Sequence, residues 1–419
     1  MGLISDGTRS RMGKRRVYIL AGAPLVLVSM VLLFFPWNIS STALRFTAAL
    51  LSYMFFATVE TMVMIPYYSL SSEISSDYTE RAKANTLRIG FSVASSIVCV
   101  AVPNLIVNAV GQPSGYIVMS VAFGLLFALT LTVTALWAKE EVVSPPVRAK
   151  FSFKEFVKPL RCKSFRGYMG MQVCAGTTMA VMSGVFFFYI MYAVKSGNPL
   201  AAGGVGDGLG TMAAGVMFAM QIVALPLYLK IIRAKSKASA YRVGAAGWIA
   251  VAFLLLFVPS DLPDSLNWII FVMAALIGLG VSGAVLAPHT MIGDVNDAFE
   301  LQFGARSEGA VSGLLNLLNK TGQALGVGIA LNLLELVGGF VNPDPGQYIA
   351  AQPQSAQTML TLFMALTPLV IMTIGILISR RYKITEQKQR EIADFNARFA
   401  AAENKAALEE ERQRLLDTL

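Results

Sequence analysis

The chain has 419 residues, of which 55% are hydrophobic and only 14% charged, with a mean hydropathy of +0.60. Soluble domains carry about 25% charged residues, so this composition cannot cover a water-soluble surface of such a size and excludes soluble enzymes. The formal net charge of +9 lies mostly in short polar segments between apolar blocks, the distribution that sets membrane topology rather than one that binds a nucleic acid.

Ten apolar blocks are long enough to cross about 30 Å of hydrocarbon as helices. In chain order they are predicted at 17–37, 43–71, 87–110, 115–138, 166–195, 208–233, 240–258, 266–291, 308–338 and 357–380. The fold class is therefore an all-α polytopic membrane protein. Charges gather in segments 1–16, 72–86, 139–165, 230–242, 292–307 and 381–419, whereas the opposite connections are short and rich in Asn, Gly, Pro and Gln. Basic residues held on one side place both termini in the cytoplasm. Four regions result: an N-terminal half at 1–138, a central cytoplasmic loop at 139–165, a six-helix half at 166–380 and a helical tail at 381–419. In the tail, Ile392, Phe395 and Phe399 recur at three- and four-residue spacing, the mark of an amphipathic helix. Such a tail is either a solvated appendage or a partner-binding element. Cys99, Cys162 and Cys174 show neither pairing nor metal-ligand spacing, so free thiols and no metal site are expected.

A charge at bilayer depth is expensive and normally faces a cavity or a partner. Glu60, Arg88, Lys320 and the Asp294/Asp297 pair meet that description. Lys320 falls midway along its block, with Asn316, Asn319 and Gln323 close by on the same helical face. Glu60 lies one turn before Met64 and can carry a proton, bind a solute hydroxyl or serve as a structural hydrogen-bonding group. Tyr67 is placed either to stack on a sugar ring or to anchor the interface. His289 follows Pro288 at a predicted helix end and reads as an interfacial residue. No acid–base or metal constellation lies outside the helix faces, so no catalytic residue is expected and the chain is not an enzyme.

Four motifs occur in order. Residues 2–16 read Gly-Leu-Ile-Ser-Asp-Gly-Thr-Arg-Ser-Arg-Met-Gly-Lys-Arg-Arg, carrying Asp6, Arg9, Arg11 and Arg15. Ile65-Pro66-Tyr67-Tyr68 is followed by Glu73, Asp77, Arg81 and Arg88; then come Arg161-Cys162-Lys163-Ser164-Phe165-Arg166. The last group holds Asp294, Asp297, Arg306, Glu308 and Lys320. Together they resemble the glycoside–pentoside–hexuronide:cation symporters, the melibiose-carrier branch of the major facilitator superfamily. The first motif resembles that family's loop between helices 2 and 3, where an Asp among Arg residues forms charge-assisted pairs that break and remake as helices slide.

The resemblance implies a twelve-helix fold of which helices 1 and 2 are absent, through a reading frame begun too late or in a natural remnant. It implies a secondary symporter in a plasma membrane (a bacterial inner membrane), moving a glycoside or related small solute by alternating access. No cofactor beyond a coupling ion is implied, H⁺ or Na⁺, and the partners are the solute and the bilayer, with a monomer as the working unit. Lys320 matches the family's helix-11 Lys and Arg88 its helix-5 Arg, so Glu60, Arg88, Lys320, Asn316 and Tyr67 are the expected solute and cation contacts. Asp6, Arg9, Arg11, Arg15, Asp294, Asp297, Arg306 and Glu308 are the expected gating residues. Met64 stands where the melibiose carrier has a cation-binding Asp. A thioether is a poor ligand for a hard cation, which favours a proton over Na⁺. A lysolipid carrier from the same superfamily branch and an inactive remnant are the alternatives.

Overall fold

The computed structural model describes residues 8, 10, 12–13, 15–73, 78–111, 113–138, 153–195, 208–260, 262–304, 308–342, 351–401 and 408–417. Among them every regular element is helical. The chain divides into two compact units, Met1–Phe151 and Ser152–Leu419.

The first unit contains α1 (Arg16–Phe34), α2 (Thr42–Glu73), α3 (Tyr78–Val110) and α4 (Ser114–Trp137). Pro24, Pro66 and Pro103 lie inside three of these helices, as membrane helices tolerate when neighbours re-satisfy the freed carbonyls. α1 packs against both α2 and α4. Met30, Val107, Met119 and Phe123 form one buried cluster, and Ile19, Leu70 and Ala135 form a second with Tyr67 against it. Arg16 closes the junction by donating from its guanidinium to the carbonyls of Ala135 and Leu136, the last turn of α4. A cation there also meets the negative end of the helix dipole.

The second unit opens with a short helix, α5 (Phe153–Val157), and a 3₁₀ turn at Lys158–Arg161. Then come α6 (Lys163–Phe188), continued by a π-helical stretch at Tyr189–Val194, α7 (Leu209–Ala234), α8 (Lys237–Leu254), α9 (Trp268–Phe303) and α10 (Glu308–Leu336). α11 (Gln354–Thr367) runs through another π-helical stretch, Pro368–Met372, into α12 (Thr373–Ser379). Two tail helices follow, α13 (Glu386–Ala401) and α14 (Glu409–Asp417).

All ten predicted blocks are helical, and nine of the described helices are long and apolar enough to cross a membrane. The tenth, α10, is 29 residues long but falls outside that group because Asn316, Asn319, Lys320 and Gln323 interrupt its apolar surface. Large apolar side chains stand exposed on many helices, among them Phe91, Leu129, Trp137, Val223 and Leu325. Hydrocarbon rather than water solvates such surfaces.

Three sequence expectations are corrected. α9 does not stop at residue 291 but continues to Phe303, where Gly304 takes a left-handed φ of 71° and ends it. Asp294 and Asp297 are therefore helical rather than in a loop, and His289 lies inside α9, not at its end. At 1.5 Å per residue this 36-residue helix is roughly 54 Å long, well beyond the hydrocarbon thickness. The polar stretch 230–242 is likewise mostly helical, with only Lys235 and Ser236 between α7 and α8. α3 starts at Tyr78, so Arg88 lies ten residues inside it.

α8 and α9 pack closely. A Cβ on Gly280 would stand 2.8 Å from the Trp248 Cα and 3.0 Å from the Gly244 carbonyl, so the backbones meet as small residues permit. Trp248 is fully buried beside them. Gly280→Leu is expected to separate the helices and cost about 3 kcal/mol, the upper range of overpacking. A lowered midpoint in a thermal melt of the purified protein in detergent checks it.

Candidate functional site

Two polar regions stand out against this apolar framework, and both belong to the second unit. The first surrounds the far end of α9. Lys237, at the start of α8, donates from Nζ to both carboxylate oxygens of Asp294 at 2.7 and 2.8 Å and to the Thr290 carbonyl at 3.0 Å. The Asp294 side chain is only 6% exposed. A buried carboxylate so placed requires a hydrogen-bonded cation, because desolvation otherwise outweighs what it gains.

Tyr382, just past α12, donates its hydroxyl to Asp294 Oδ2 at 3.4 Å. Burial, then the adjacent Asp294 charge, push the Tyr382 hydroxyl well above its ordinary range, so it stays a protonated donor at neutral pH. Nearby, burial likewise raises the Cys162 thiol, which makes it an inert packing residue.

The tail closes over this end. Gln389 of α13 donates to Asp297 Oδ2 at 3.1 Å, and Asn396 donates to the Asp297 carbonyl at 2.9 Å. Ile392 and Phe395, part of the predicted amphipathic stripe, are 2% and 1% exposed. α13 is thus docked by its apolar face, not a solvated appendage. Arg412 of α14 donates to the carbonyls of Leu301 and Gln302 at 2.8 and 3.0 Å, capping α9 while its guanidinium stacks 5.5 Å from the Phe399 ring. Arg398 and Glu411 pair across the two tail helices.

The second region lies along α6 and α10. Asn319 and Gln323 point at α6, with the Asn319 amide oxygen packed over Gly176. Lys320, one residue on, is exposed. The predicted stripe of Asn316, Asn319, Lys320 and Gln323 is therefore split, its amides at residues 319 and 323 facing a neighbouring helix while Lys320 is exposed.

Of the other predicted residues, Glu60, Tyr67 and Met64 are half-buried on α2 and Arg88 is half-buried on α3, all in the first unit. Arg15 is buried at the start of α1. Asp6, Arg9, Arg11 and Arg306 lie outside the described residues, and Glu308 begins α10. Among the described residues, His, Cys, Asp and Glu do not gather in groups of three or more. Sequence reasoning missed Arg16, Lys237, Tyr382 and Arg412. Each belongs to a basic or polar stretch without periodicity, where only the fold tells a helix-end partner from a topogenic charge.

Described elements that are all helical, with long apolar helices whose side chains stand exposed to hydrocarbon, define a multi-pass helical membrane protein. The profile of the MFS/sugar transport protein family matches residues 1–386, and the chain belongs to that family, within the major facilitator superfamily. It is similar to the glucuronide carrier protein homolog of Escherichia coli, at 26% identity over 93% of this chain and 82% of that protein. It is also similar to the sodium-dependent lysophosphatidylcholine symporter 1 of Mus musculus, at 24% identity over 93% of this chain and 76% of that protein. The crystal structure of the nucleoside transporter NupG shares the fold, with a TM-score of 0.51 at 13% identity over 89% of this chain and 85% of that one.

Removing the ammonium group at the end of α9 isolates a buried carboxylate. Lys237→Met is expected to cost about 3 kcal/mol. A Lys237→Met/Asp294→Leu double variant recovers most of that loss, because neither charge is then left buried alone. Thermal unfolding of the four proteins of this cycle in detergent measures both effects.

Proposed function

We propose that this chain is a secondary symporter that moves a sugar, glycoside or hexuronide together with a cation by alternating access. The polar stripe of α10 carries the reading. Asn316, Asn319, Lys320 and Gln323 cluster near the middle of a 29-residue helix, and polar side chains at such depth mark a solute path. Neutral amides suit hydroxyl groups, and the exposed Lys320 ammonium suits a carboxylate such as that of a hexuronide. The similarity to a glucuronide carrier homolog supports the same class.

Glu60 is the group we assign to the coupling ion, and the ion is a proton. It is half-buried on α2 one turn from Met64, whose thioether contributes nothing to a hard cation. A single carboxyl can carry a proton, whereas Na⁺ requires several oxygen ligands. The Lys237–Asp294–Tyr382 cluster and the tail clamp are then the elements that hold the cytoplasmic end of α9 in one conformational state, and Arg88 and Tyr67 are the residues of the first unit that we assign to solute contact.

Uptake into proteoliposomes tests the assignment. Glucuronides and neutral glycosides are expected to accumulate against their gradient when the pH gradient is inward and to ignore a Na⁺ gradient. Glu60→Gln and Lys320→Ala should each abolish accumulation while still inserting normally. Na⁺-driven uptake at equal pH overturns the proton assignment, and uptake of lysophosphatidylcholine without any glycoside overturns the solute class.

A further inference from the structure

We propose that α6 and α10 carry a hydroxyl-binding seat for the solute, formed by Gln172, Thr177 and Asn319, with Gly176 as its specificity-determining residue. The proposal rests on the glycoside reading above and extends it to a helix, α6, on which that reading assigns no residue.

The two helices run side by side in the same direction. Gly176 faces Asn319, Thr177 faces Gly322 and Gly326, and Gly184 faces Val327. Small residues thus alternate across the seam in a way that leaves room for polar side chains. A Cβ on Gly176 would overlap the Asn319 amide oxygen and stand 3.0 Å from Gln323 Nε2. A Cβ on Gly322 would stand 2.8 Å from Thr177 Oγ1. Each glycine therefore makes space for a polar group of the opposite helix, and Gln172 lies about one turn before Gly176 along α6.

The hydrogen bonding along this stretch is incomplete. Gln172 Oε1, Thr177 Oγ1 and Asn319 Oδ1 are buried, and none has a hydrogen-bond partner among the described residues. Buried polar side-chain atoms are ordinarily satisfied, and the cost of leaving them unmade rises as the surroundings become less polar. Hydroxyls on the long helices of this chain normally bond to their own backbone. The next residue, Thr178, donates to the Cys174 carbonyl at 2.8 Å, and Thr132 and Thr58 do the same one turn back at 2.7 and 2.8 Å. Thr177 does not, so its hydroxyl is committed to the seam rather than to its helix.

Two carboxamides and one hydroxyl offer both donors and acceptors and no net charge. Adjacent hydroxyl groups of a sugar, each a donor and an acceptor, have the complementary pattern. Gly176 controls the seat because any side chain there displaces the Asn319 amide. Loss of one such hydrogen bond is worth about tenfold in affinity.

The test uses the full chain and a panel of methyl glycosides with their monodeoxy analogues, measured both as proteoliposome uptake and as equilibrium binding. In Thr177→Val, Asn319→Leu and Gly176→Ala, KM for the transported glycoside is expected to rise about tenfold with kcat within a factor of about two. Thr177→Ser, which keeps the hydroxyl, should stay at the wild-type KM, and that rescue separates solute binding from helix packing. One monodeoxy analogue should be handled equally by wild type and Thr177→Val, because the bond is already missing. Unchanged KM in all three variants, or altered H⁺ or Na⁺ dependence at unchanged solute KM, overturns the seat while leaving the symporter reading intact. Glycoside binding that is weakened in the variants, without uptake even by the wild type, keeps the seat and overturns the symporter reading. Neither binding nor uptake overturns both.

Discussion

Hydrocarbon supplies no hydrogen bonds, and that constraint shapes every level of this protein. Backbone groups can be satisfied only within helices, so the described elements are all helical. Hydroxyl side chains turn back on their own helix, as Ser52 does on Ala48 and Thr132 on Ala128. Apolar side chains need no burial, which is why leucines, valines and phenylalanines stand exposed along most of the long helices. Helices in such surroundings associate through close packing more than through hydrophobic burial. The Gly244–Gly280 approach between α8 and α9 supplies that packing in the second unit.

The same constraint gives the helix ends their importance. Where a helix leaves the apolar layer its last carbonyls need donors, and this chain supplies long cationic side chains from distant positions. Arg16 serves α4, and Arg412 serves α9 across 111 residues of sequence. At the opposite end of the second unit, Lys195 donates to the Leu262 carbonyl at 2.6 Å and pairs with Asp264 at 2.8 Å, tying the end of α6 to the approach to α9. α9 is thus held near both ends, by Lys195 at one and by Lys237, Tyr382 and the tail at the other. Any rearrangement of α9 must break or carry these contacts, so the tail is mechanically part of the second unit.

Hydroxyls apart, polar side chains in the middle of the described helices are few, and their scarcity makes them informative. α10 concentrates them, and half of that group faces α6 rather than the surface. A helix that keeps Asn319 and Gln323 against a neighbour while Lys320 stays exposed has two chemically different faces on one stretch. That separation is what allows a neutral hydrogen-bonding surface and a fixed positive charge to lie within one helical turn of each other.

Composition and periodicity alone specified the class of this protein, the positions of its ten apolar blocks and the short list of charges at depth, because the bilayer imposes one length and one polarity on everything that crosses it. Motif order supplied the family. Most helix ends fell within a few residues of their predicted bounds. The extension of α9 through Asp294 to Phe303 was not legible, since a paired carboxylate in a helix and a free one in a loop look alike in sequence. Pairing itself was hidden for the same reason: Lys237 and Asp294 are 57 residues apart, and nothing local to either names the other. The docking of α13 and the facing of Asn319 onto Gly176 were likewise decided by tertiary structure, because which neighbour a helix face meets depends on how the helices pack, a property of the assembled chain rather than of any one segment.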